Sequence, residues 1–395
     1  MSTTKFEDAV VISGVAQSEI GRRLHRDPHA LTAEACVAAV EDAGLRLDEI
    51  DGISTYPGAM SAGPGFSGAG AREVHDLLGL DLAWCSSGTE VPGQLGAVVN
   101  AMLAVAGGLA RHVLCWRSIW EGTAQGSGRR EGYGAGQERV GGPMAWQLPF
   151  GATAADLAGI LINARMGRYG LTREQLGAGP VNGRANAALN PAAVYRSPIS
   201  LDDYLQARMV SWPLSLYDCD VPCDGATAIV VSRREHGAAL DHPAVRVEAV
   251  GCAHDDRFLW EYGEDITRIS SRWSAAAMWE RTDLRPSDVD VAELYDGFSI
   301  FTHCWLEDLG FCDIGEAGAF VEGGTAIARD GTLPLNTDGG QLSGGRLHGF
   351  GFLHEACLQL RGQAGERQLE RRPEVAAVGV GAANSGTTAM LLTGG

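Results

Sequence analysis

The chain contains one segment twice. Residues Leu45–Tyr56 recur as Leu284–Tyr295, with the same spacing between the matched leucine, arginine, aspartate and tyrosine residues. Each copy follows an apolar helical pattern and leads through acidic residues into a short β-prone run that ends at its tyrosine. A repeat with so long a period indicates duplicated domains rather than a solenoid. We therefore predict two similar α/β halves that meet at a shared site.

Buried-strand runs alternate with helical patterns along both halves. This alternation predicts a mostly parallel sheet in each half, with helices on both faces. Two such sheets with helices between them give a layered α/β/α/β/α body. We place the first half at residues 1–240, with an inserted loop region at about 117–205, and the second half at residues 241–395.

The composition narrows the range of partners and compartments. The 395 residues include 49 acidic and 31 basic ones, which gives a formal charge of −18. Such a surface repels phosphate backbones and anionic lipids, so we expect neither nucleic acid nor membrane as a partner. The chain shows no signal-peptide layout and no apolar run of membrane-spanning length, which predicts a cytoplasmic protein. Its nine cysteines are scattered without a Cys-x-x-Cys pair, so we predict free thiols and no metal site.

Four motifs in the second half have counterparts in one enzyme superfamily. They are Leu294–Phe298, Leu309–Phe320, Leu335–Ser343 and Gly344–Gly351. Together with the paired halves, these motifs resemble the thiolase superfamily, most closely its lipid-transfer or sterol-carrier branch, which includes the aldolases that shorten steroid side chains. The resemblance covers essentially the whole chain. It implies a duplicated five-layer α/β/α/β/α fold with an inserted loop region.

The cysteines depart from the thiolase pattern. Thiolases that condense or cleave acyl-CoA use a nucleophilic cysteine and a second, C-terminal one, but no cysteine follows Cys357. The place of the nucleophile, at the start of the helix after the third strand, is occupied by Glu90 and Val91. Cys85 lies several residues earlier, and we interpret it as the buried end of a strand.

The resemblance also identifies the residues that replace the thiolase asparagine and histidine. Tyr295 stands at the first position and Arg346 at the second, where steroid side-chain aldolases carry a pair of tyrosines that manage the proton transfers. Tyr295 would be the base, and Arg346 would lower its phenol pKa or hold the thioester oxygen. His348 is a second candidate proton carrier, with a pKa suited to neutral pH. Without the resemblance, a tyrosine at a strand end is typical of a core residue.

Three further residues are candidates for supporting roles. We interpret Asp296 as a cap for the helix that follows it. Asn336 and Gly340 belong to an Asn-Thr-Asp-Gly-Gly turn, where glycine permits the close approach of the chain or of a ligand.

The resemblance implies a carbon–carbon lyase that cleaves a β-hydroxyacyl-CoA thioester by a retro-aldol reaction, with a steroid or another bulky side chain as the acyl group. CoA is then part of the substrate, and no cofactor is expected in this chain. The resemblance also implies a homodimer that joins a separate OB-fold and zinc-ribbon subunit in a heterotetramer. Two alternatives stay open: an acyltransferase or thiolase that uses Cys85, and a non-catalytic scaffold that binds acyl-CoA or lipid.

Overall fold

The computed structural model describes residues 5–56, 65–88, 93–126, 150–254, 264–382 and 386–395. No helix in these ranges is both long and apolar enough to cross a membrane. The first half of the chain contributes five strands to the main sheet: β1 Val10–Gln17, β2 Gly52–Thr55, β3 Trp84–Ser87, β4 His112–Trp120 and β7 Asp224–Arg233. Their order is β3-β2-β4-β7-β1. A separate hairpin is formed by β5 Met209–Ser211 and β6 Leu214–Ser215.

The second half repeats this plan. It contributes β8 Val245–Ala253, β9 Val291–Leu294, β10 Val375–Val380 and β11 Thr387–Gly394, in the order β8-β11-β10-β9. Counted outward from the join between β1 and β8, the first half has β1, β7, β4 and β2, and the second half has β8, β11, β10 and β9 at the corresponding places. In both halves the first strand is innermost, the last strand is next to it, and the second strand is at the fourth place. The first half ends with its third strand, β3, and at that place the second half has a single parallel bridge between Leu335 and Ala292.

The two tyrosines of the repeat occupy matching positions. Tyr56 directly follows β2, and Tyr295 directly follows β9. In each half the preceding strand pairs in parallel with its inner neighbour, β4 in one case and β10 in the other. The prediction of matching strand ends is therefore confirmed by the topology.

The sheet is mixed, and the expectation of mostly parallel strands is wrong. Among the strands in the described part of the chain, the parallel pairs are β2–β3, β2–β4 and β9–β10. The last strand of each half runs antiparallel to both neighbours: β7 between β1 and β4, and β11 between β8 and β10. The connection explains the second case, because β10 ends at Val380 and β11 begins at Thr387. A link that short joins antiparallel neighbours, whereas parallel strands need a long crossover.

Twelve helices, counted within the described ranges, surround the strands: α1 Pro28–Asp42, α2 Ala71–Leu78, α3 Gly96–Ala106, α4 Glu121–Gly126, α5 Ala154–Tyr169, α6 Arg173–Ala187, α7 Leu201–Leu205, α8 Ser271–Trp279, α9 Ser299–Asp308, α10 Ala317–Val321, α11 Gly340–Ser343 and α12 Gly349–Arg361. Helices α3 and α12 share one buried cluster with strands of both halves. Helix α1 covers the opposite face of the first half, and α8 and α9 cover the opposite face of the second. These clusters confirm the five-layer order. The two halves of the sheet join through only two residue pairs, Val11 with Arg246 and Ile12 with Val245.

The predicted loop region at about 117–205 contains more regular structure than its sequence indicates. Strand β4 continues to Trp120, and α4 follows. Helix α5 confirms the helix that the sequence pattern predicts at residues 152–169, whereas α6 and α7, between residues 173 and 205, were not predicted. Helix α6 escaped prediction because Pro180 and several glycines interrupt its pattern, although Thr172 caps its start by accepting the N–H of Gln175. Residues 127–149 of this region lie outside the described residues. The boundary at residue 240 stays a prediction.

Candidate active site

Tyr295 lies where β9 ends, with its backbone held against the neighbouring strand. Its N–H donates to the carbonyl of Gly379 at 2.8 Å, and its half-buried ring stacks on Phe301 at 6.0 Å between centroids. Phe352 contacts the ring edge-on at 6.3 Å. A Cβ atom at Gly297 would lie 2.4 Å from the Tyr295 hydroxyl. A glycine at this position therefore leaves room for the phenol to pack against the turn formed by residues 295–297.

Asp296, in the same turn, connects the end of β9 to the start of α11 by hydrogen bonds. Its buried carboxylate accepts the N–H of Gln341 at 2.8 Å and the N–H of Leu342 at 3.4 Å. The interpretation that Asp296 caps the next helix in sequence is therefore wrong, because the carboxylate caps α11, which the fold brings beside the β9 end. Burial raises the pKa of Asp296 to about 8, and the nearby carboxylate of Asp338 acts in the same direction.

Gly340 and Asn336 hold the same turn. Gly340 has a φ of +58°, and a Cβ atom there would lie 2.1 Å from the Asp296 Oδ2, so this position requires glycine. Asn336 pairs with the backbone of Leu294: its Oδ1 accepts the Leu294 N–H at 2.7 Å, and its Nδ2 donates to the Leu294 carbonyl at 2.9 Å. Both residues thus fix the backbone that carries Tyr295.

The raised pKa of Asp296 predicts a pH dependence of stability. Its carboxyl stays protonated in the folded protein up to about pH 8, whereas in the unfolded chain its pKa is 3.8. The folded state therefore binds one more proton than the unfolded state between these values, and this residue makes stability fall as the pH rises through that window. Asp296→Asn imitates the protonated acid and should remove its share of the decline. We expect urea unfolding at pH 5 and pH 8 to show a smaller decline for the variant. Equal declines would mean that Asp296 is ionised in the folded protein.

The guanidinium of Arg346 donates hydrogen bonds from all three of its nitrogens to protein carboxylates, so these donors are not available to a ligand. Its Nε and Nη2 donate to the two carboxylate oxygens of Asp220 at 2.8 and 2.6 Å, and its Nη1 donates to Glu121 at 3.0 Å. Burial alone would lower the pKa of Arg346, but these two carboxylates raise it well above its ordinary value, and Tyr295 adds to that effect. Arg346 is therefore within electrostatic reach of Tyr295, but its charge is largely balanced by its carboxylate partners.

His348 precedes α12 in an unusual conformation. Its φ of 56° lies in the left-handed region, and its N–H donates to the Gln341 side chain at 3.0 Å. The ring is buried beside Arg117, whose Nε lies 3.2 Å from His348 Nδ1. Burial first, and then the charges of Arg117 and Arg346, hold the pKa of His348 well below its ordinary value. The expectation that His348 titrates near neutral pH is therefore wrong, because the sequence shows neither the burial of the ring nor the position of Arg117 beside it.

Sequence reasoning missed three charged residues at this site, namely Arg117, Glu121 and Asp220. Arg117 lies on β4, and its side chain is 0% exposed. A buried charge is costly unless polar or charged groups surround it. A charge inside an otherwise apolar strand run was the available signal. For Glu121 and Asp220 no such signal exists, because their partner Arg346 is far away in the sequence and only the fold joins them.

Cys85 lies within β3, and α3 begins at Gly96. Its side chain is exposed rather than buried as expected, because β3 is the outermost strand of the sheet. Glu90 and Val91, at the place of the thiolase nucleophile, lie outside the described residues. All nine cysteines are free. Within the described ranges no group of three or more His, Cys, Asp or Glu side chains is arranged to hold a metal ion.

Comparison with known proteins places the chain in a family. A family model described as thiolase C-terminal domain-like matches residues 252–394. A steroid side-chain-cleaving aldolase of Thermomonospora curvata is 33% identical over 96% of this chain and 97% of the relative. The 17-hydroxy-3-oxo-4-pregnene-20-carboxyl-CoA lyase of Mycobacterium tuberculosis is 32% identical over 89% of this chain and 91% of the relative.

A solved structure agrees with these relatives. The chain matches the Ltp2-ChsH2(DUF35) aldolase with a TM-score of 0.85 and 30% identity, over 98% of each chain. The fold match and the sequence matches both extend over nearly the full length. The chain belongs to the thiolase superfamily, in the sterol-carrier-type branch that includes the steroid side-chain-cleaving aldolases.

Proposed function

We propose that this enzyme cleaves a β-hydroxyacyl-CoA thioester by a retro-aldol reaction and that its acyl group is a steroid or a similarly bulky side chain. The observation that carries the proposal is the placement of Tyr295. Its turn is fixed by Asp296, Asn336 and Gly340, while no cysteine follows Cys357 to serve as the second thiolase thiol. The full-length relatives named as an aldolase and a lyase support the reaction class.

The reaction needs one proton to be removed and one to be returned. Tyr295 takes the proton of the β-hydroxyl, and the bond between the α- and β-carbons breaks as the hydroxyl oxygen becomes a carbonyl. The bonding electrons collect on the thioester oxygen as an enolate, and protonation of the α-carbon completes a shorter acyl-CoA. Proton removal and return balance, so the reaction yields a ketone or aldehyde plus acyl-CoA with no other reactant.

Arg346 has a more limited role in this scheme than the sequence indicated. Its positive charge favours the phenolate form of Tyr295, although Asp220 and Glu121 reduce the effect. Three of its N–H groups are already directed at these carboxylates. We therefore assign Arg346 to holding the glycine-rich loop near Tyr295. The neutral His348 is the better candidate for a donor to the enolate oxygen, the kind of contact that usually contributes most to such reactions.

A panel of acyl-CoA thioesters tests the proposal. The purified protein, alone and with its co-purifying partners from the native host, is incubated with β-hydroxyacyl-CoA substrates of increasing bulk. We expect a shorter acyl-CoA and a matching ketone or aldehyde from the bulky substrates. Tight binding with no cleavage across the panel would favour the alternative of a non-catalytic acyl-CoA or lipid-binding scaffold.

Cys85 separates the lyase from the acyltransferase alternative. The exposed thiol of Cys85 lies within β3 and not at the start of α3, whereas the thiolase nucleophile opens a helix. Cys85→Ser should therefore retain most of the parent activity. The measurement is turnover together with mass spectrometry of the protein after incubation with substrate. Loss of activity in a folded variant, or an acyl adduct on Cys85, would make acyl transfer the leading function.

We further propose a homodimer that joins a separate OB-fold and zinc-ribbon subunit in the cytoplasm. The matched structure, the Ltp2-ChsH2(DUF35) aldolase, pairs Ltp2 with ChsH2(DUF35) in its name, which supports a second subunit. Strand β3 ends the sheet, and an edge strand of this kind needs cover. Light scattering of the purified chain at micromolar concentration should therefore give the mass of a dimer. A monomer under these conditions would count against this assembly.

A further inference from the structure

Arg117 is a buried cation without a carboxylate partner among the described residues. Arg117 is a residue of β4, and its side chain is 0% exposed. Nη1 donates to the Ser118 carbonyl at 2.6 Å and Nε lies 3.2 Å from His348 Nδ1, while Nη2 makes no hydrogen bond. A buried charge without a counter-ion is costly. Such a residue in a strand beside the candidate site needs a reason other than stability.

Two aromatic rings fix the direction of this guanidinium. Its central carbon lies 5.1 Å from the centre of the Tyr56 ring and 4.6 Å from that of Phe66, within cation–π distance. The Tyr56 hydroxyl lies 3.3 Å from the same His348 Nδ1. Tyr56 is the repeat counterpart of Tyr295, and the first half thus supplies both polar groups that lie within hydrogen-bond distance of His348 Nδ1.

The chemistry of arginine decides which nitrogen of His348 carries the proton. A guanidinium has only donors, so the Arg117 Nε–H can only donate, and His348 Nδ1 must accept. An accepting Nδ1 has no proton, which places the proton of the neutral imidazole on Nε2. The Tyr56 hydroxyl then donates to Nδ1 as well. The imidazole therefore offers one N–H, at Nε2.

We propose that Arg117 is a positioning residue that holds His348 as a neutral imidazole with its proton on Nε2, so that this N–H is the donor in the reaction site. Only its use as a donor to the enolate oxygen rests on the proposed function. The tautomer itself follows from the contacts. Within the described ranges, the charged and titratable groups that face His348 are Arg117 from β4, Tyr56 from the end of β2, and Arg346 from its own loop. Both cations oppose protonation of the ring.

The direct test is nitrogen NMR of the protein labelled with ¹⁵N-histidine. The chain has ten histidines, and His348→Gln identifies the signals of His348 by their loss. We expect a pyridine-type Nδ1 and a pyrrole-type Nε2 that stay unchanged from pH 5 to pH 9. A protonated Nδ1, or a titration within this range, would overturn the proposal. This spectrum needs no substrate, so it is readable whether or not the protein is a lyase.

Arg117→Met isolates the contribution of the arginine. Methionine has a similar length and leaves no buried charge, so we expect the variant to fold. His348 should then populate both tautomers and gain a proton at a higher pH than in the parent. Turnover should fall on the order of 10²-fold with KM nearly unchanged, as expected when an imidazole loses its working tautomer. The fall should be larger at pH 8 than at pH 6, because a ring that gains a proton carries the Nε2–H again.

The matched control is Arg111→Met. Arg111 directly precedes β4, its side chain is 62% exposed, and its ion pair with Asp51 is away from His348. This control should keep the parent tautomer and pH profile. Parent-like His348 signals in Arg117→Met would show that Arg117 does not position the ring. If Arg117→Met does not fold, the spectrum of the unaltered protein decides between the same outcomes.

Discussion

Tyr295→Phe should reduce turnover by roughly 10²- to 10⁴-fold, the range typical of deleting a general base, while the affinity for substrate stays nearly unchanged. The substitution removes one hydroxyl and keeps the ring that packs on Phe301 and Phe352. Asp296, Asn336 and Gly340 fix the backbone of the turn and do not depend on the phenol oxygen. The loss should therefore be in kcat and not in folding or binding.

Tyr169→Phe is the matched control. Tyr169 ends α5 and also loses one hydroxyl, which lies 3.3 Å from the Thr267 hydroxyl, but it takes no part in the proposed reaction. Its turnover should equal that of the parent. A Tyr295→Phe enzyme that cleaves substrate at the parent rate would end the assignment of Tyr295 as the base and would move that role to His348 or favour a binding protein.

Arg346→Met should have the largest effect on stability. It removes the partner of Asp220 and Glu121, whose side chains are only 9% and 7% exposed, and leaves their charges uncompensated. Breaking a buried ion pair on one side costs about 3–5 kcal/mol, and here two carboxylates lose one arginine. We expect the free energy of unfolding, measured in urea at pH 7, to fall by about this amount.

Further variants separate charge from shape at this position. Arg346→Lys keeps the charge but cannot reproduce the bidentate contact with Asp220, so its loss should be smaller yet clear. Adding Asp220→Asn and Glu121→Gln to Arg346→Met removes the uncompensated charges and should recover much of the stability. An Arg346→Met protein as stable as the parent would show that this ion-pair cluster does not hold the loop.

The repeat explains why the layered fold could be predicted. Its two copies mark equivalent strands, and Tyr56 and Tyr295 do follow β2 and β9. The mixed direction of the strands could not be read from the same pattern, because parallel and antiparallel buried strands have the same apolar runs. Only the short link between β10 and β11 gave a usable signal.

The residues of the candidate site that act through local backbone conformation could be predicted from the sequence. Asn336 and Gly340 are marked by the residues that such turns require, and both have positive φ. The environment of His348 and the partners of Arg346 were not predictable. Glu121 and Arg346 are 225 residues apart in the sequence, and Arg117 and His348 are 231 apart. Contacts over such distances exist only after the two halves have packed on α3 and α12.

The retro-aldol reaction itself can be tested in deuterated water. The enzyme and a β-hydroxyacyl-CoA that it cleaves are incubated in D₂O without free CoA, and the products are analysed by mass spectrometry. We predict cleavage without added CoA and one deuterium on the α-carbon of the shorter acyl-CoA, because that carbon takes its new proton after the bond breaks. Cleavage that requires free CoA and yields a second acyl-CoA in place of the ketone or aldehyde would contradict the account and indicate a thiolase.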